Sequence, residues 1–165
     1  MARQNTRLES EGAEFLVLGE LLIRGIPTYK TYTNMAGYDL VATCPEKNTS
    51  ARVSVKSRWM TKANGFIIKN FNCDFVVVVK LNRGATNGKA KVSLPAFFVF
   101  PVKLVQSFRR TEKWGKVSFN DIADMAKHQD RWELISSFLT SRKAPKSAQL
   151  WSNPAPQRSA ASGAR

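Results

Sequence analysis

Phe75 to Val79 is an unbroken apolar stretch of one phenylalanine and four valines, and Leu81 extends it past Lys80. β-Branched residues in a row favour a strand. A strand that is apolar at every position has no face it can leave in water, so it must be buried on both sides. Ala96 to Phe100 reads the same way. Two such strands require a sheet covered above and below. A chain of 165 residues, 43% of them hydrophobic, can supply one domain of that kind and hardly two.

Helices provide the cover. Over residues 5–24, Leu8, Phe15, Leu18 and Leu22 follow helical spacing, and Leu21 widens the stripe. Gly25 stops this helix and Pro27 prevents its resumption. Residues 28–33 alternate in a β-prone manner, and 34–37 is a turn. Residues 38–44 and 51–59 form a hairpin across a polar loop. A short strand is expected at 66–69. An exposed loop follows at 82–91, then a helix at 102–108 behind Pro101. Ser118 with Asp121 resembles a capping pair for a helix to about Lys127, and Asp130 is placed to cap a last helix over 132–139. The expected fold class is α/β (α+β), a central mixed sheet flanked by helices, over residues 1–140.

Charge bears on the partner. The chain has 26 Lys and Arg against 12 Asp and Glu, a formal charge of +14. Residues 141–165 carry five of the cations, no acid and three prolines, which marks a disordered basic tail. The remaining +9 lies on the domain itself, so a polyanion is the expected partner, nucleic acid before membrane. The apolar runs are far too short to span a bilayer. Cys44 and Cys73 are the only cysteines and have no zinc spacing, so free thiols in a cytoplasmic, soluble protein are expected. His128 is the sole histidine and has no partner motif, and no Gly-rich phosphate loop is present.

The hairpin carries the chemistry. Its first strand holds one acid, Asp39, and its second one central lysine, Lys56, flanked by Arg52, Ser54 and Arg58 on the same strand face. Asp39 and Lys56 meet only if the hairpin register aligns their faces. Glu14 is followed by Val17, Leu18 and Leu21 at i+3, i+4 and i+7, so it points with the apolar stripe toward the sheet. Glu20 has Arg24 at i+4 as a surface partner, and Glu9 and Glu11 read as solvent-facing. Two acids and a lysine are the parts of a metal-dependent phosphodiesterase. Carboxylates suit Mg²⁺, and a lysine can orient water or offset developing charge.

Glu14, Gly37-Tyr38-Asp39 and Val53-Ser54-Val55-Lys56 together resemble the PD-(D/E)xK nuclease superfamily. The likeness is to its small branch, which includes some homing endonucleases and Holliday-junction resolvase-like proteins. Glu20-Leu21-Leu22 before Gly25, Asp74-Phe75 and the Phe97 to Pro101 strand extend it over roughly residues 10–140. The resemblance implies a restriction-endonuclease-like core and cleavage of DNA. It implies Mg²⁺, with Mn²⁺ able to substitute, bound by Asp39 with help from Glu14 and the Val55 carbonyl, and a catalytic role for Lys56. The pattern departs at Ser54, where Glu, Asp or Gln is usual. That departure defines the alternative, a nuclease-fold DNA-binding protein with weakened or lost cleavage.

Further residues suit the nucleic acid. Arg52, Arg58 and Lys62 surround Trp59, a mixture fit for phosphate contact and base stacking. Lys80, Arg83, Lys89 and Lys91 border the basic 82–91 loop, which could follow a phosphate backbone. Cutting two strands calls for two sites, which a homodimer would supply.

Overall fold

The computed structural model describes residues 5–32, 37–85, 88–108 and 115–142. Helix α1 (Thr6–Ile23) starts at Asn5, whose side-chain oxygen accepts from the N–H groups of Arg7 and Leu8 at 3.1 and 3.2 Å. It ends at Gly25, where φ is +73°. The Gly25 N–H bonds back to the Leu22 carbonyl and the Ile26 N–H to that of Leu21, a paired closure that needs a left-handed residue at this point.

Five strands form the main sheet: β1 (Thr28–Lys30), β2 (Leu40–Cys44), β3 (Thr49–Arg58), β5 (Phe75–Lys80) and β6 (Ala96–Pro101), in spatial order β1-β2-β3-β5-β6. The β3–β5 pair is parallel and the other three pairs are antiparallel, so the sheet is mixed as expected. A parallel pair needs a long crossover. Here that crossover contains β4 (Gly65–Ile67), which pairs with β7 (Lys116–Ser118) in a separate two-stranded sheet.

Phe75 to Val79 lie between two apolar layers. Phe75, Val77 and Val79 face Ala13, Val17 and Leu21 of α1 and Ile135 and Leu139 of α3 (Glu133–Ser141). Val76 and Val78 face Phe66 of β4, Val117 of β7 and Val105 of α2 (Val102–Phe108). The both-sides burial expected for this strand is realised.

Several local expectations are corrected. Leu8, Phe15 and Leu22 are 69%, 49% and 49% exposed, whereas Ala13, Val17 and Leu21 are fully buried. The buried stripe of α1 is thus turned about one residue from the large-residue stripe. The expected helix from Ser118 to Lys127 is instead two 3-10 turns, Phe119–Asp121 and Met125–His128. Asp124 breaks it by adopting a left-handed φ of +51°. Ser118 still caps the first turn, accepting from the Asn120 N–H at 3.3 Å. Asp130 gives no side-chain cap to α3; its carbonyl accepts from the Trp132 N–H at 2.9 Å. Strand β7 has no counterpart in the sequence pattern. The basic tail lies outside the described residues from 143 on, and Ser141 and Arg142 close α3. Among the described residues no helix is long and apolar enough to cross a membrane.

The rotation of α1 has a direct test. Leu21→Ala should destabilise the fold by about 2–5 kcal/mol in urea unfolding. Leu22→Ala should stay within about 0.5 kcal/mol. Equal effects would contradict the observed helix face.

Candidate active site

Strand β2 begins at Leu40, paired with Val53. Beyond that point no strand among the described residues lies beside this edge of β3, and its outward N–H and C=O groups must find other partners. Asp39 supplies one. Its carboxylate Oδ2 accepts from the Val55 N–H at 2.6 Å, while its own N–H donates to the Val53 carbonyl at 2.9 Å. The Ser54 hydroxyl lies 3.4 Å from the same carboxylate oxygen. The Asp39 carbonyl accepts from the Thr31 N–H and hydroxyl at 3.0 and 2.9 Å. Asp39 is therefore clamped by its main chain, and its charge meets a peptide N–H. A residue's N–H and C=O lean to the same strand edge, so the Val55 carbonyl faces the gap that β2 leaves open.

The hairpin register aligns the faces as required: Val41 pairs with Arg52 and Thr43 with Ser50. Asp39, Val55, Lys56, Arg58 and Glu14 line one open cleft of about 280 Å³ with Ser10, Ser57 and two residues of β4. Ser54 is 1% exposed and approaches Asp39 from within the sheet.

Glu14 reaches the cleft from α1, on the face that buries Val17 and Leu21. Its carboxylate is bonded by the ammonium of Lys30 on β1. The Lys30 side chain is only 6% exposed; it also meets Glu11 at 3.2 Å, with the rings of Phe15 and Tyr32 centred 5.4 and 5.7 Å away. Burial raises the Glu14 pKa above 4.5, the Lys30 bond pulls it down, and the Asp39 charge pushes it up again. Burial pulls the Lys30 pKa down, but its bonds to Glu14 and Glu11 more than offset this and leave it raised. Lys30 has no motif around it in the sequence. Only the pairing of β1 with β2 brings it beneath α1.

Other expected positions are distributed differently. Arg52 does not line the cleft. Its N–H and Nε donate to the Asp74 carboxylate at 2.8 and 3.2 Å, and its guanidinium lies 5.9 Å from the Tyr38 ring centre. Asp74 thus clasps β3 to the start of β5. Glu9 and Glu11, read as solvent-facing, both have partners: Glu9 accepts from the Ser57 hydroxyl at 2.9 Å, and Glu11 meets Lys30. Trp59 is 41% exposed just past β3. Lys62, Arg83 and Lys89 are exposed on two loops stitched together by Arg83 N–H to Trp59 carbonyl and Thr61 N–H to Gly84 carbonyl bonds, both 2.9 Å. His128 packs on Phe100 at 4.9 Å, and burial lowers its pKa.

Among the described residues no three His, Cys, Asp or Glu side chains cluster as a metal site. The donors available are two carboxylates, Asp39 and Glu14, and the Val55 carbonyl. All are hard oxygens, which fits Mg²⁺, an ion that keeps several waters and takes few protein ligands.

The fold is similar to that of a bacterial homing endonuclease, I-Ssp6803I, with a TM-score of 0.54 and 19% sequence identity over 84% of this chain and 96% of that one. No protein-family profile matches the sequence, and no curated relative does. The mixed sheet with flanking helices is therefore a nuclease-like fold, as the resemblance implied.

The electrostatics of Glu14 can be followed by NMR titration of its carboxyl carbon. The midpoint should lie above 4.5; Asp39→Asn should bring it down and Lys30→Met should push it further up. A raised carboxylate favours its proton in the folded chain, so its contribution to stability is lost as pH climbs from the ordinary carboxylate range through the raised value. Glu14→Gln should remove that part of the pH dependence. A midpoint that rises in Asp39→Asn, or falls in Lys30→Met, would contradict the assigned causes.

Proposed function

We propose that this protein is a Mg²⁺-dependent DNA endonuclease of the PD-(D/E)xK type. The observation that carries the reading is the convergence of Asp39, Glu14, Lys56 and the Val55 edge on one cleft in a strongly basic domain. Asp39, Glu14 and the Val55 carbonyl would hold the metal. When bound there, Mg²⁺ supplies charge neutralisation at the phosphate and a more acidic water.

The chain's own residues do the rest. Asp39 keeps one carboxylate oxygen on the Val55 N–H, which fixes the direction of the other. The Lys56 side chain has no hydrogen-bond or ion-pair partner among the described residues, so its ammonium is available to orient a nucleophilic water or to meet charge developing on the phosphate. Glu14 supplies a second carboxylate whose charge Lys30 balances. DNA is the partner, drawn by the +14 charge, and a homodimer would place two sites for two strands.

A second reading, a DNA-binding protein with weakened cleavage, is favoured by Ser54. Its hydroxyl is buried against Asp39 and adds no charge to the metal site. Cleavage of supercoiled plasmid in Mg²⁺ or Mn²⁺ separates the two. Asp39→Ala and Lys56→Ala should each abolish nicking, at least 100-fold on the order of a lost catalytic group, while far-UV circular dichroism is unchanged. A parent protein that nicks nothing, or variants that cut as the parent does, would contradict the enzyme reading. In the second reading Ser54→Glu should then raise Mn²⁺ affinity or restore nicking, and DNA binding should be independent of metal.

A further inference from the structure

Lys80 stands at the end of β5, directly beside Arg58 in the parallel β3–β5 register, as Val78 stands beside Lys56. Side chains two apart share a face, so Lys56, Arg58 and Lys80 form a row on the sheet face covered by β4 and β7. Lys80 is half-buried, with its ammonium 4.2 Å from the Phe119 ring centre and 5.2 Å from that of Phe98. Rings hold a cation in place but do not neutralise it. Among the described residues, the side chains of Lys56, Arg58 and Lys80 have no carboxylate partner and no hydrogen bond, and the Arg58 Nε is buried without an acceptor. Burial lowers the Lys80 pKa, and no neighbouring charge offsets it.

Three like charges held side by side, all partly withdrawn from water, cost the fold stability that apolar side chains would not. Their common lack is an acceptor carrying negative charge. The row starts at Lys56 in the candidate active-site cleft and leads away from it across the sheet, with Arg58 lining the same cleft. We infer that Lys80 and Arg58 together bind a phosphate of the DNA backbone adjacent to the one at Lys56, so that Lys80 is a DNA-binding residue built into the second layer of the fold. This rests on DNA being the substrate, but not on cleavage.

The experiment is binding of a fluorescein-labelled DNA duplex of about 30 base pairs to the full chain without metal, over a range of salt concentrations. Each phosphate contact contributes about 0.9 to the slope of log affinity against log salt. Lys80→Met keeps an unbranched apolar stem between the rings and removes the charge. It should lower the slope by about one and weaken low-salt binding about three- to tenfold, while leaving the melting temperature equal or higher. Lys80→Arg should keep the parent slope. A Lys80→Met protein that is folded and binds with the parent's slope overturns the inference and leaves the endonuclease proposal standing. A parent protein that binds no duplex even at low salt overturns both. If Lys80→Met does not fold, Arg58→Gln carries the test, with the same fall in slope expected and an unchanged slope contradicting it.

Discussion

The bond from the Val55 N–H to the Asp39 carboxylate organises the site. It forms because β2 starts one residue after Asp39, so β3 loses its neighbour where Val55 needs an acceptor. A side chain takes the place of a strand. The same bond fixes the carboxylate and leaves the Val55 carbonyl facing the gap, and Lys56 follows as the next residue of β3. A partner strand extended through this region would close the cleft.

The central strand makes that geometry rigid. β5 is buried on both faces and pairs with β3 over the six residues from Val53 to Arg58. Asp74 at its start accepts from the Arg52 N–H and Nε, and the Arg52 carbonyl accepts from the Asp74 N–H. The half of β3 that lacks β2 is thereby held from its other edge. α1 packs on the same sheet through Ala13, Val17 and Leu21, which fixes the height at which Glu14 enters the cleft.

The layered fold was legible in the sequence because the Phe75 to Val79 and Ala96 to Phe100 runs admit few alternatives. That Asp39 and Lys56 share one hairpin was legible because the segments at 38–44 and 51–59 alternate regularly about a polar loop. The direction of Glu14 followed from Val17, Leu18 and Leu21. The weight given to Leu8, Phe15 and Leu22 misled, since packing against a sheet chose Ala13 and Val17, whose small size permits close approach. The 118–127 segment was misread because a backbone turn at Asp124, with φ of +51°, leaves no pattern in side-chain hydropathy. Lys30, and the adjacency of Arg58 and Lys80, could not be found by local spacing. Their roles depend on which strands become neighbours. Arg52 shows the converse: a basic residue beside the motif is occupied by Asp74, 22 positions away.

Lys30 gives the cleft its present charge balance. Its ammonium sits between Glu14 and Glu11 with little exposure to water, and a divalent ion held by Glu14 would share that carboxylate with it. The central claim is that Asp39, Glu14 and the Val55 carbonyl form a metal site at the open edge of β3. Anomalous diffraction from a crystal soaked in Mn²⁺ tests it most directly. A peak is expected within about 2.3 Å of an Asp39 carboxylate oxygen and of the Val55 carbonyl oxygen, with Glu14 turned toward it. A map with no peak in the cleft, or with Mn²⁺ bound elsewhere while Glu14 stays on Lys30, would contradict it.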